Sequence, residues 1–283
     1  MEPGEYSVEI DGVTQAFEVR GKGPVCLVHS GGPGIHSDYL RMPLLEERLT
    51  MLYVDPVGTR HSGLLPDGDY RVERYAHFTR RLIAHFGLHR PYFLGHSHGG
   101  FVGLQLALET PEVLGGMVIY DSAPVYGPEL FEEAGRQVNA SVARWPGRPE
   151  IEHAGHTFWE YKRPDGPAIT DRESFLGYLK GVLPLYFADY RRTVGEAGIL
   201  PIDVTFDPAR QPSRWDVRGK LGKISLPALV IAGAFDFICP PRWARDLHRE
   251  LPASRLRILD GSGHFGHIEQ PYDFADAVLT MTC

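Results

Sequence analysis

Nowhere in the 283 residues do about 18 apolar residues run consecutively, so no transmembrane helix is expected. The opening MEPGEYSVEI carries two glutamates and no apolar core, which argues against a secretory leader. Cysteine is scarce: Cys26, Cys239 and Cys283 are odd in number and far apart, a pattern that fits reduced thiols and a cytoplasmic setting better than a disulfide framework. Basic excess is missing too, since the net charge is −7. The densest basic stretch, RYAHFTRRLIAHFGLHR, interleaves apolar residues at helical spacing and reads as a solvated helix face, not a nucleic-acid surface. Neither internal repeats nor low-complexity tracts occur. His153 and His156 stand three apart, but no third ligand of recognisable spacing accompanies them, so no metal site is expected.

What is present is globular: 43% hydrophobic and 23% charged residues, with 32 Gly and 23 Pro implying many tight turns. YSVEIDGVTQAFEVRG alternates around Asp11-Gly12, a hairpin signal. Short apolar runs then alternate with helical patterns: PVCLVH, LTMLYVD, PYFLGH, GGMVIYD, and much later PALVIAG and SRLRILD. Runs this continuous suggest strands covered on both faces, hence a mostly parallel, doubly wound α/β sheet. The rhythm lapses between GGMVIYD and PALVIAG. The expected organisation is therefore a core of residues 1–122 and 227–283 with a mainly helical cap, 123–226, over the strand ends where open α/β sheets bind ligands.

Ser97 sits in Gly95-His96-Ser97-His98-Gly99, between the strand PYFLGH and the helix GGFVGLQLALE. This is the G-x-S-x-G nucleophile elbow: a strained strand-to-helix turn exposes the serine oxygen, and the backbone N–H of His98, at the helix start, can stabilise an oxyanion. A serine nucleophile needs a histidine base and a carboxylate to orient it. Asp236 follows the strand PALVIAG, and His264 lies on the Gly-rich loop after SRLRILD. Asp121, after GGMVIYD, is the alternative acid; His267 is the alternative base, set aside because EQP after it starts a helix. His96 and His98 read as pocket walls. A second oxyanion donor is expected from Ser30-Gly31-Gly32-Pro33-Gly34, the loop after the third strand.

HSGGPG, YVDPVGTRHSG, GHSHGG, GAFDFICP and GSGHFGHIEQP together resemble the proline iminopeptidase branch of the α/β-hydrolases, from about His29 to Pro271. The resemblance implies the α/β-hydrolase fold, a Ser97, His264, Asp236 triad, and Gly32 N–H as oxyanion donor with Gly31 as alternative, Ser30 being an insertion. In that branch a turn reads Asp-x-Arg-Gly, whereas Asp55-Pro56-Val57-Gly58 lacks the arginine. The branch also holds a substrate ammonium between two cap glutamates. Trp159-Glu160 resembles one of these sites, but Leu183, before Tyr186, stands where the second glutamate would be. These residues imply a serine hydrolase without cofactor, acting on a small ester, lactone or amide. Release of an N-terminal residue from a peptide is one version, and a binding protein that has lost catalysis is the reading from another class.

Overall fold

The computed structural model describes residues 1–197 and 200–282; Cys283 lies outside the described residues. Among them the strands are β1 (Gly4–Ile10), β2 (Val13–Gly21), β3 (Val25–His29), β4 (Thr50–Asp55), β5 (Tyr92–His96), β6 (Gly116–Tyr120), β7 (Val125–Tyr126), β8 (Trp215–Asp216), β9 (Ala228–Gly233) and β10 (Ser254–Leu259). The helices are α1 (Pro43–Glu46), α2 (Val72–His85), α3 (His98–Glu109), α4 (Pro128–Arg144), α5 (Pro149–Lys162), α6 (Arg172–Val182), α7 (Tyr190–Ala197), α8 (Pro241–Glu250), α9 (Gly266–Glu269) and α10 (Pro271–Thr282). No helix among the described residues is long and apolar enough to cross a membrane.

Eight strands form one sheet in the order β1-β2-β4-β3-β5-β6-β9-β10, antiparallel at β1-β2-β4 and parallel from β4 onward. The expected hairpin is present, with Asp11 and Gly12 both at positive φ, 52° and 76°, as a two-residue I′ turn demands. Each expected apolar run is a strand. Side chains alternate across the pleat, so Leu27, Leu52, Phe93, Ile119 and Val230 pack into one apolar cluster while Val28, Met51, Leu94, Val118 and Leu229 pack into another. Residues of α2, α3 and α8 complete the first cluster, and residues of α1 and α10 the second. Both faces are thereby covered, which is why the strands read as continuous apolar runs.

Register sets the site. His96 pairs with Tyr120, and Tyr120 with Ile231, so the carboxyl ends of β5, β6 and β9 lie side by side. Ser97, Asp121 and the turn bearing Asp236 follow these ends directly. Above them α4, α5 and the Leu183–Tyr186 turn bury a third apolar cluster, including Val138, Phe158 and Leu185, which Phe237 joins from the Asp236 turn.

The stretch 200–214 beyond α7 is mostly irregular, not helical. Its order comes from long-range pairing: Val204 bridges Ile35, Thr205 N–H donates to Gly34 C=O at 2.8 Å, and His36 N–H to Asp203 C=O at 3.0 Å. The glycine loop after β3 is thus held by a strap some 170 residues away in sequence. Arg60 N–H donates to Thr205 Oγ1 at 2.9 Å, and its guanidinium lies 3.2 Å from Asp38 and 4.0 Å from Asp55.

Candidate active site

Ser97 is held at φ 53° and ψ −116°, a conformation that costs a non-glycine residue about 1–3 kcal/mol. Neighbouring structure enforces it: Ser97 N–H donates to Tyr120 C=O at 2.9 Å, and Ser122 Oγ donates to Ser97 C=O at 2.8 Å. The flanking glycines are required by close approach. A Cβ on Gly95 would lie 2.2 Å from Gly99 O, and one on Gly99 would lie 2.3 Å from His29 O. Strand β5, helix α3 and the end of β3 can converge on Ser97 only without those side chains.

Asp236 is buried in the turn after β9, and its Oδ1 accepts N–H bonds from Ile238 at 2.8 Å and Cys239 at 3.0 Å. Its Oδ2 accepts from His264 Nδ1 at 2.7 Å. This pairing fixes the His264 tautomer with the proton on Nδ1, leaving Nε2 as the basic nitrogen. His264 N–H donates to Tyr186 C=O at 2.7 Å, which ties the loop after β10 to the turn before α7.

Asp121, the alternative acid, is also at the site but bonded elsewhere. It sits at φ 46°, its Oδ1 accepts Gly233 N–H at 2.8 Å, and its Oδ2 is buried without a hydrogen-bond partner. Burial first, and then the neighbouring Asp236 charge, hold its carboxyl well above the usual carboxylate range. His267 is occupied too: Nε2–H donates to Tyr39 C=O at 2.8 Å, and Nδ1 accepts from Tyr120 O–H at 2.9 Å.

Tyr39, which sequence reasoning passed over, organises the back of the site. Gly31 N–H donates to its hydroxyl at 2.8 Å, the hydroxyl donates to His96 Nδ1 at 2.7 Å, and His96 Nε2–H donates to His264 C=O at 2.9 Å. Since a carbonyl can only accept, His96 carries a proton on Nε2, and burial, which holds its pKa well below the ordinary value, keeps the ring neutral so that Nδ1 accepts from Tyr39. Gly31 N–H is therefore committed, whereas the N–H groups of Gly32 and His98 have no protein acceptor among the described residues. His96, Asp121 and His264 offer ligand atoms within 4.8 Å of one another, yet both His96 nitrogens and His264 Nδ1 are engaged within the protein. His153 and His156 stand exposed on α5.

A cavity of about 480 Å³ opens over Ser97 and His264. Gly31, Gly32, His96, His98, Leu183 and Tyr186 line it as the sequence suggested, together with Cys239. Trp159 and Glu160 do not. Both point outward and are exposed, the Trp159 indole N–H donating to Asn139 at 3.0 Å. The helix phase explains this: Ile151, Ala154, Gly155 and Phe158 are the buried stripe of α5, and the next positions in that phase are the half-buried Tyr161 and the exposed Lys162, which line the cavity wall and its rim. A helical reading of EIEHAGHTFWEYK contained that signal.

Four buried histidines shape the pH response. Burial lowers His29 and His267 to about 4 and His98 to about 3, and pushes His96 well below its ordinary value. Below the ordinary histidine value of about 6.5 the unfolded chain binds more protons than the folded one, so this contribution to stability is complete above pH ~6.5 and is lost as pH falls toward the folded values. The loss reaches about 1.4 kcal/mol per pH unit for each histidine. The Asp121 carboxyl, raised by burial, acts in the opposite sense, its contribution being lost as pH rises. At pH 5.5 the NMR ring resonances of His29, His96, His98 and His267 should keep their neutral shifts; a protonated form there would contradict this burial.

The family model described as alpha/beta hydrolase fold matches residues 23–271. A putative carbamate hydrolase RutD of Pseudomonas syringae is 26% identical over 257 residues, spanning 89% of this chain and 91% of the relative. The 3-oxoadipate enol-lactonase 2 of Acinetobacter baylyi is 28% identical over 218 residues, spanning 75% and 71%. The solved proline iminopeptidase of Mycobacterium smegmatis superimposes with a TM-score of 0.68 at 19% identity, covering 98% of this chain and 97% of that one. With the eight-stranded sheet and the strained serine between β5 and α3, the match across nearly the whole chain establishes that it belongs to the alpha/beta hydrolase fold family.

Proposed function

We propose that the chain is a serine hydrolase of small esters, lactones or amides, working through Ser97, His264 and Asp236. The observation that carries this reading is the buried 2.7 Å His264–Asp236 bond beside a serine forced into an elbow, with Ser97 and His264 opening on one cavity. His264 Nε2 takes the Ser97 proton as Oγ attacks the carbonyl carbon, and Asp236 stabilises the imidazolium. The N–H groups of Gly32 and His98 receive the oxyanion. Collapse expels the alcohol or amine, which takes the proton from His264, and a water activated by the same histidine then hydrolyses the acyl-enzyme and restores Ser97. Residues 123–226 act as the cap over the substrate. The unpaired buried thiols Cys26 and Cys239 favour a reducing compartment such as the cytoplasm.

Relatives named carbamate hydrolase and enol-lactonase support hydrolysis of small acyl compounds. The aminopeptidase version loses its anchor: Glu160 is outside the cavity, and neither Asp nor Glu lines it among the described residues. Matched nitrophenyl esters of proline and N-acetylproline test the choice, because they share a leaving group and differ in the ammonium. The acetylated ester should have the higher kcat/KM, and Glu160→Gln should leave both values unchanged. Preference for the free amine by more than about tenfold, the worth of one charge-assisted hydrogen bond, would restore the aminopeptidase.

A further inference from the structure

The cavity is walled mainly by aromatic and aliphatic side chains, and its one Lys or Arg among the described residues is Lys162, the last residue of α5. Its Nζ lies 4.0 Å from the ring centroid of Phe131 and 5.7 Å from that of Phe158. No carboxylate pairs with it among the described residues, although Glu129, Glu133 and Glu150 on the same two helices, α4 and α5, are bonded to arginines. Lys162 is exposed and lines the cavity at its solvent-facing rim, and partial desolvation by its apolar neighbours lowers its pKa from the ordinary lysine value. A ring face gives an ammonium a weak electrostatic partner and leaves its N–H donors free to turn to an acceptor.

An ammonium so placed, at the exposed rim of an otherwise apolar wall that carries no carboxylate, selects by charge. A cationic substrate is repelled, a neutral one leaves the ammonium uncompensated, and an anionic one supplies the missing partner. We infer that Lys162 is an anion subsite, and that the substrate is an ester or lactone bearing a carboxylate set off from the reacting carbonyl by an apolar spacer. The inference rests on the serine hydrolase reading and adds the substrate class.

The test compares mono-4-nitrophenyl esters of straight-chain dicarboxylic acids with 4-nitrophenyl esters of monocarboxylic acids of the same chain length, using wild type, Lys162→Met, Lys162→Arg and Ser97→Ala. In wild type the best-fitting dicarboxylic ester should exceed its neutral counterpart in kcat/KM by about 10- to 100-fold, the range for a hydrogen bond between charged groups. That ratio should fall to about one in Lys162→Met, which keeps the length and apolar stem of the side chain, and should largely return in Lys162→Arg. Circular dichroism checks that each variant is folded, and the ratio within one variant is independent of its active fraction. Ser97-dependent turnover of neutral esters with no carboxylate preference, or a preference that survives Lys162→Met, would overturn the anion subsite and leave the hydrolase reading standing. Failure of both series to exceed the Ser97→Ala background would overturn both.

Discussion

Replacing Ser97 by alanine is expected to lower kcat on nitrophenyl esters by about 10⁴- to 10⁶-fold, because the members of a nucleophile–base–acid unit act together. Stability should hardly change. Alanine keeps the strained backbone, and the contacts that enforce φ 53° run through the backbone of residue 97 to Tyr120 and Ser122. Ser97→Gly should be equally inactive but more stable: glycine relieves a strain of about 1–3 kcal/mol while costing about 0.5–1 kcal/mol in unfolded-chain entropy. Steady-state assays and thermal melts on the same preparations check both. A Ser97→Ala variant that retained a tenth of wild-type activity would remove the serine from the mechanism.

The second large effect separates the two buried aspartates. Asp236→Asn should cost about 10⁴-fold in kcat, as expected when the orienting carboxylate is replaced by an amide. The geometry specifies why. Oδ1 accepts the Ile238 and Cys239 N–H groups, so the asparagine oxygen will occupy that position and turn its NH₂ toward His264 Nδ1. A donor there forces the histidine proton onto Nε2, where it blocks the base. Asp121→Asn should cost less than about tenfold, because a carboxyl whose charged form is disfavoured by burial is well imitated by a neutral amide. Its oxygen can still accept from Gly233. The opposite ranking in kcat would transfer the acid role to Asp121.

Much of the fold was legible because its signals are local. Strands buried on both faces must be apolar throughout, and every run from PVCLVH to SRLRILD is a strand of the main sheet. The elbow was legible because the crowding of Gly95 and Gly99 leaves their positions no other residue type. What escaped depends on contacts distant in sequence. Nothing near Tyr39 announces that its hydroxyl joins Gly31 to His96, and the irregular strap through Val204 and Thr205 has neither period nor cap. The outward Trp159-Glu160 pair is a different kind of miss. A two-residue likeness outweighed a buried stripe that, continued by one turn, brings Tyr161 and Lys162 to the cavity side of the helix. Short motifs fix chemistry where backbone geometry is demanding, as at Ser97, and fix little on a helix, where phase decides what faces the cavity.

The central claim is that Ser97 is a nucleophile activated by His264. Reaction with a fluorophosphonate, followed by peptide mass spectrometry, tests it without knowledge of the substrate. The account predicts one adduct, on the peptide carrying Ser97, formed much more slowly in a folded His264→Gln variant and not formed in Ser97→Ala. Absence of labelling in folded wild type, or labelling of another residue with parallel loss of esterase activity, would contradict it.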